Sequence, residues 1–137
     1  MGLDDRPVGT RVKLSGLWAA TMFCYVYGDY FGLYVGGALA DMNRGLIGPL
    51  GEATPGVLVG VSIMMAIPSL MVALSLILPA RLCRWSCVIL GVVYTGIMAI
   101  TLPGARPFYQ LFGAIEIALT LAIVGVALRW PKETNHD

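Results

Sequence analysis

Four stretches of the chain are apolar over the length needed to cross a bilayer. They run from about Leu14 to Gly36, Pro55 to Leu78, Leu82 to Leu102 and Phe108 to Trp130. A spanning helix requires about 20 mostly apolar residues. The first stretch is the most polar of the four, with Asp29 and the tyrosines at 25, 27, 30 and 34. The punctuation between them is that of helix ends. Thr54-Pro55 offers an N-cap followed by proline at the first helical position. Pro79 to Arg81 divides the second stretch from the third, Pro103 to Pro107 divides the third from the fourth, and Pro131 closes the last. The two short linkers predict that the second, third and fourth helices are antiparallel neighbours. The expected fold class is all-α, an integral membrane four-helix bundle spanning residues 14–130. A tail at 1–13, a tail at 131–137 and a longer loop at 37–53 complete it, and the loop lies in the outer interface or caps the bundle.

Composition makes lipid the expected solvent. Of 137 residues, 58% are hydrophobic and 12% charged, with mean hydropathy +0.80. Soluble domains carry about 25% charged residues, so this chain has too few to cover a water-facing surface. Residues 1–13 hold Asp4, Asp5, Arg6, Arg11 and Lys13 and no apolar run, so no signal peptide is expected there. Net charge is +1, which excludes a basic face for nucleic acid.

Charge placement sets the expected orientation. Arg6, Arg11, Lys13, Arg81, Arg84, Arg129 and Lys132 fall on the side of the termini, and only Arg44 and Arg106 fall on the other. Cytoplasmic loops carry the excess of Lys and Arg, so both termini are expected in the cytoplasm of a multi-pass cell-membrane protein. Trp18, Trp85 and Trp130 lie near the same side, where an interfacial aromatic belt is expected.

Helices in lipid associate through close packing of small residues and through hydrogen bonds. The first stretch carries Ala20, Cys24, Gly28, Gly32 and Gly36 at intervals of four. That stripe suits either packing within the bundle or the seam of a homodimer or higher oligomer. Gly56 and Gly60 repeat the pattern in the second helix, and Ala114, Ala118 and Ala122 in the fourth. Pro68 lies mid-helix, where it removes one backbone hydrogen bond, leaves the Met64 carbonyl under-satisfied and kinks or hinges the helix.

Candidate chemistry rests on two acids. A charge at the centre of a membrane helix costs roughly 2.5–3.5 kcal/mol on insertion scales, and such residues persist for structural or functional reasons. At about 1.5 Å rise per residue, Asp29 is placed roughly 8 Å and Glu116 about 12 Å below the outer surface. Asp29 shares a helix face with Tyr25, Gly32 and Gly36. Glu116 shares one with Tyr109, Phe112, Gly113 and Thr120. No Lys, Arg or His lies within a span to neutralise them. Two carboxyl groups close together in a low dielectric do not both ionise readily, so one holds a proton or the pair shares a cation. Asp29, Glu116, Tyr25, Tyr109 and Thr120 are therefore the expected ion- or substrate-binding residues. Cys24, Cys83 and Cys87 read as small apolar filler rather than a disulfide framework or metal site, and His136 as a solvated tail residue. No metal or cofactor motif is present, and no nucleophile stands beside a base.

Three functional classes follow. The first is a small oligomeric transporter or channel for protons, cations or a small solute. The second is a non-catalytic accessory or structural membrane protein. The third, least supported, is a quinone-linked or other membrane enzyme. Leu17-Trp18, the run Tyr25 to Leu33 centred on Tyr27-Gly28-Asp29, Ile67-Pro68 with Leu78-Pro79, Arg84-Trp85, and Phe108-Tyr109 through Glu116 resemble a family of small bacterial four-span proteins of unknown function. A more distant resemblance is to DoxX-like four-helix membrane proteins, which implies a redox or accessory role. The closer family commonly places an acidic residue before the Ile-Pro of the second span, where this chain has Ala66.

Overall fold

The computed structural model describes residues 2–133; the expectation for His136 lies outside them. Four long helices pack side by side: α1 (Thr10–Gly32), α3 (Pro55–Ile77), α4 (Ala80–Thr101) and α5 (Pro107–Leu128). A short helix α2 (Ala38–Asn43) and a two-stranded antiparallel ribbon, β1 (Leu46–Ile47) and β2 (Gly51–Glu52), fill the connection between α1 and α3. At 22 or 23 residues each, the long helices measure about 33–35 Å, enough for a hydrocarbon core of about 30 Å.

Three of these helices, α3, α4 and α5, are long and apolar enough to cross a membrane, which is consistent with a membrane location. The first is equally long but less apolar, because Arg11, Lys13, Asp29 and its tyrosines fall inside it. The bundle carries its large aliphatic and aromatic residues on the outside. Phe23 is 64% exposed, Ile77 73%, Ile100 82% and Leu111 63%. Its fully buried positions include Thr21, Ser75 and Thr120. A water-soluble bundle would place these residues the other way round. Only 11% of the most apolar stretch of α3 is buried, although its hydropathy is 2.4.

Helix ends have local causes. Thr54 accepts a hydrogen bond from the Val57 N–H at 3.2 Å and Pro55 takes the first position of α3. The first helix runs four residues earlier at both ends than 14–36. Its N-terminus extends to Thr10 because the Lys13 N–H bonds to the Gly9 carbonyl. Its C-terminus unwinds at Gly32: the amides of Leu33, Tyr34 and Val35 bond three residues back, and Gly37 takes φ +86°. Leu33 caps α1 in a right-handed conformation, and the left-handed Gly37, which glycine adopts without a Cβ clash, stands at the start of α2. The 37–53 loop is thus ordered, with Leu46 opposite Glu52 and an Arg44–Asp41 ion pair.

The neighbour relations depart from chain order. The first helix packs between α3 and α5, and α4 packs against α5. Although α3 and α4 are joined by a tight turn, their backbones approach each other only sparsely. Side chains bridge that wider gap. The Tyr94 hydroxyl donates to the Met64 carbonyl at 2.5 Å, and the Ser75 hydroxyl lies 3.9 Å from the Cys87 sulfur. Where α3 meets α1, the Ser15 hydroxyl donates to the Val72 carbonyl at 2.7 Å.

One half of the core joins Leu14, Trp18, Met71, Cys83, Cys87, Ile123 and Ala127. The indole N–H of Trp18 points at the Cys87 sulfur at 3.5 Å, and the Cys83 thiol at the Ser75 carbonyl at 3.6 Å. The other half joins Tyr25, Tyr94 and Met98. The first helix begins and α5 ends at the same end of the bundle. There the Arg11 guanidinium lies 5.6 Å from the Trp130 ring and bonds to the Leu78 carbonyl at the close of α3.

Candidate functional site

The gap between α3 and α4 opens into a cavity of about 100 Å³ lined by all four long helices. Its lining follows helical spacing. Tyr25, Gly28 and Asp29 come from α1, Met64 and Met65 from α3, and Tyr109, Phe112 and Glu116 from α5. The fourth helix adds Tyr94, Met98 and Thr101, also at intervals of three and four, which keep side chains on one helix face.

Packing holds each group in place. Phe112 lies against Gly28, where an added Cβ would be 3.9 Å from the Phe112 side chain, and its ring stacks on Phe31 at 6.2 Å between centroids. Tyr94 is fixed at both ends, by an edge-on contact with Trp18 at 6.4 Å and by its bond to Met64. That carbonyl is the one left without a helical donor by Pro68, four residues later. The proline is fully buried within a continuous α3.

Glu116 is the chemical centre of the cavity. It is 3% exposed, and its Oε2 atom is buried with no hydrogen-bond partner among the described residues. The Tyr25 hydroxyl, which lines the same cavity, is likewise buried and without a partner. Asp29 lines the cavity but is exposed, so it stands at the opening. Because α1 ends at Gly32, Asp29 lies about one helical turn from its end. Glu116 lies nine residues into α5, so about 13–14 Å along it. The two acids line one cavity, Glu116 in its buried part and Asp29 at its exposed side.

The other candidates separate. Tyr109 lines the cavity. Thr120 is not among its lining residues; it is fully buried in the α4–α5 seam, 2.6 Å from the Thr95 hydroxyl, and it donates to the Glu116 carbonyl at 3.0 Å. Among the expected packing glycines, only Gly28 meets a neighbouring helix. Gly32, Gly36 and Gly60 have nothing within 4 Å of an added Cβ, and Gly56 meets only its own cap residue, Thr54. Ala114 and Ala118 are exposed on α5. The glycines that do admit close approach are Gly91 and Gly113. A Cβ on Gly91 would lie 2.6 Å from Val124 Cγ2 and 3.2 Å from the Thr120 carbonyl oxygen, and one on Gly113 would collide with Leu102. Gly91 stands in a series of small residues at intervals of four with Cys83, Cys87 and Thr95, a signal present in the chain but not among the stripes expected to pack. No group of three or more His, Cys, Asp or Glu is placed to hold a metal among the described residues.

No curated protein and no solved structure matches this chain. A family of unknown function, DUF6326, matches it over residues 8–136, from before α1 to beyond α5. The match takes in every long helix and each residue of the cavity, and the chain therefore belongs to the DUF6326 family.

Proposed function

We propose that this protein is a four-span integral membrane protein, termini in the cytoplasm, that carries protons or small cations through the cavity at Glu116. The observation behind this reading is that Glu116 and Tyr25 line one cavity with Asp29 at its opening, while Glu116 Oε2 and the Tyr25 hydroxyl are buried with no partner among the described residues. A buried polar atom without a partner costs free energy, and a proton, cation or water would satisfy it. Cavity size narrows the cargo. About 100 Å³ is well below the 300–1,000 Å³ of ordinary small-molecule pockets. It is also smaller than the ~150 Å³ cavity that holds a benzene ring. A few waters or a partly dehydrated ion fit, whereas an organic solute does not.

The membrane part of the proposal draws on the lipid-compatible exterior and on the seven cations at the end shared by the termini. In it α1 is the fourth span, with Asp29 and Tyr25 lining the cavity and Tyr27 and Tyr30 exposed on the outside. Homo-oligomerisation belongs to the same proposal, since four helices around so small a cavity leave little room for both a path and a gate. Cys83 and Cys87 lie in the other half of the core, away from this cavity.

The test is ion flux in liposomes loaded with a pH-sensitive dye under an imposed potassium diffusion potential. Wild type is expected to move protons, or Na⁺ in the matched cation assay, above the rate of empty liposomes. Glu116→Gln is expected to abolish that flux while eluting as a folded protein, and Asp29→Asn to slow it. Wild-type flux equal to that of empty liposomes, or flux unaffected by Glu116→Gln, would refute the transport reading. Glu116 would then be a structural hydrogen-bonding residue of an accessory protein.

A further inference from the structure

A second concave site lies at the opposite part of the molecule, where α1 begins and α5 ends. A cleft of about 510 Å³ between the start of α4 and the end of α5 is lined by Arg81, Arg84, Trp85, Trp130 and Lys132. Among the described residues no ion pair compensates its charge. The two salt bridges among the described residues are Arg6–Asp4 and Arg44–Asp41, and neither touches this cleft. The Arg84 guanidinium lies 5.4 Å from the Trp85 ring and makes one hydrogen bond, to the Leu128 carbonyl at 3.3 Å. Arginine has five N–H donors, so most of its capacity is unused. The flank beside the cleft is apolar: Ile77, Leu82 and Leu128 are all exposed.

We propose that this cleft binds the phosphate of an anionic phospholipid. Arg81, Lys132 and the spare donors of Arg84 hold the phosphate oxygens, and the exposed flank of Leu82 and Leu128 takes the acyl chains. Trp85 and Trp130 lie at the headgroup level, where their amphipathic rings are favoured. Basic pockets at the cytoplasmic ends of helices recognise lipid phosphates through point charge and forked hydrogen bonds. The apolar flank distinguishes a lipid phosphate from a free one, which has no use for it. This inference rests on the membrane reading above but not on the transport reading.

The experiment is native mass spectrometry of the purified full chain in detergent, titrated with phosphatidylglycerol or phosphatidylcholine. Wild type is expected to retain phosphatidylglycerol preferentially. Arg81→Gln with Lys132→Gln is expected to weaken that retention about 30-fold, from the attraction lost with two cations near the surface. Arg129→Gln removes an exposed charge at the same end that does not line the cleft, and it is expected to leave retention close to wild type. Equal retention of the two lipids, or an equal loss in Arg129→Gln and the double variant, overturns the site. Displacement of the lipid by millimolar inorganic phosphate overturns the lipid assignment in favour of a free anion. A chain that stays monodisperse without detergent overturns the membrane reading itself, a separate result from failure of the lipid preference.

Discussion

Replacing Tyr94 with phenylalanine removes one oxygen atom from the wall of the cavity and isolates the Met64 carbonyl. In an ordinary helix that carbonyl would accept from the amide of residue 68, but residue 68 is proline and has none. The Tyr94 hydroxyl supplies the missing donor at 2.5 Å, from a ring only 4% exposed. A buried acceptor left without a donor costs about 1–3 kcal/mol. Hydrogen bonds between membrane helices average about 0.6 kcal/mol and reach about 1.7. The low average reflects acceptors that find other partners, and this acceptor has lost its intrahelical one. The expected destabilisation by Tyr94→Phe is therefore near the upper end, about 1.5 kcal/mol. In a Pro68→Ala background the amide of residue 68 is restored and takes over the carbonyl. There the same substitution is expected to cost about 0.5 kcal/mol or less, a coupling of about 1 kcal/mol. The assay is equilibrium unfolding in mixed micelles titrated with dodecyl sulfate, followed by tryptophan fluorescence, on all four members of the cycle. The cycle cancels the packing lost with the proline ring. Equal costs in the two backgrounds would refute the assignment of Tyr94 as the replacement donor.

The glycines supply a paired prediction, read by the same unfolding titration. Gly91→Ala pushes a methyl against Val124 and the backbone of Thr120 and is expected to destabilise by about 1–3 kcal/mol. Gly60→Ala meets nothing and is expected to be neutral or to stabilise by up to about 1 kcal/mol through helix propensity; the reverse order would show that the α4–α5 seam is not the close one. Thr54→Ala removes the cap of α3 and is expected to cost about 1 kcal/mol, with faster amide exchange confined to the first turn of that helix.

The candidate site is partly legible in the sequence. Acids are costly in apolar segments, so Asp29 and Glu116 stand out in the sequence without knowledge of their neighbours. Tyr25 and Tyr109 follow from helical spacing around them. Tyr94, Met64 and Thr101 were not recoverable in this way, because they come from two other helices and no spacing rule links them to either acid. Thr120 shows the limit of the same rule. It lies one turn from Glu116, yet its short side chain turns to Thr95 and to its own backbone. The first helix ends before its apolar run does, for a local reason. Glycine-rich chain beyond Gly32 ends α1 early, and hydropathy does not register where a helix unwinds.

Apolar length, charge asymmetry and the proline and threonine punctuation are properties of the chain itself. They sufficed to indicate a helical protein of lipid-compatible composition, the positions of three of its long helices, and the carbonyl that Pro68 leaves free. Which helix touches which was decided only in three dimensions. Short linkers do bring α3 and α4 to adjacent positions. But α1 packs between α3 and α5, and the resulting distance between α3 and α4 is the space that becomes the cavity. Small residues become contacts only where two backbones meet, so Gly91 matters and Gly60 does not. Hydropathy measures the preference of each segment for its solvent. Packing depends on the shapes of pairs of surfaces, and no single segment contains that information.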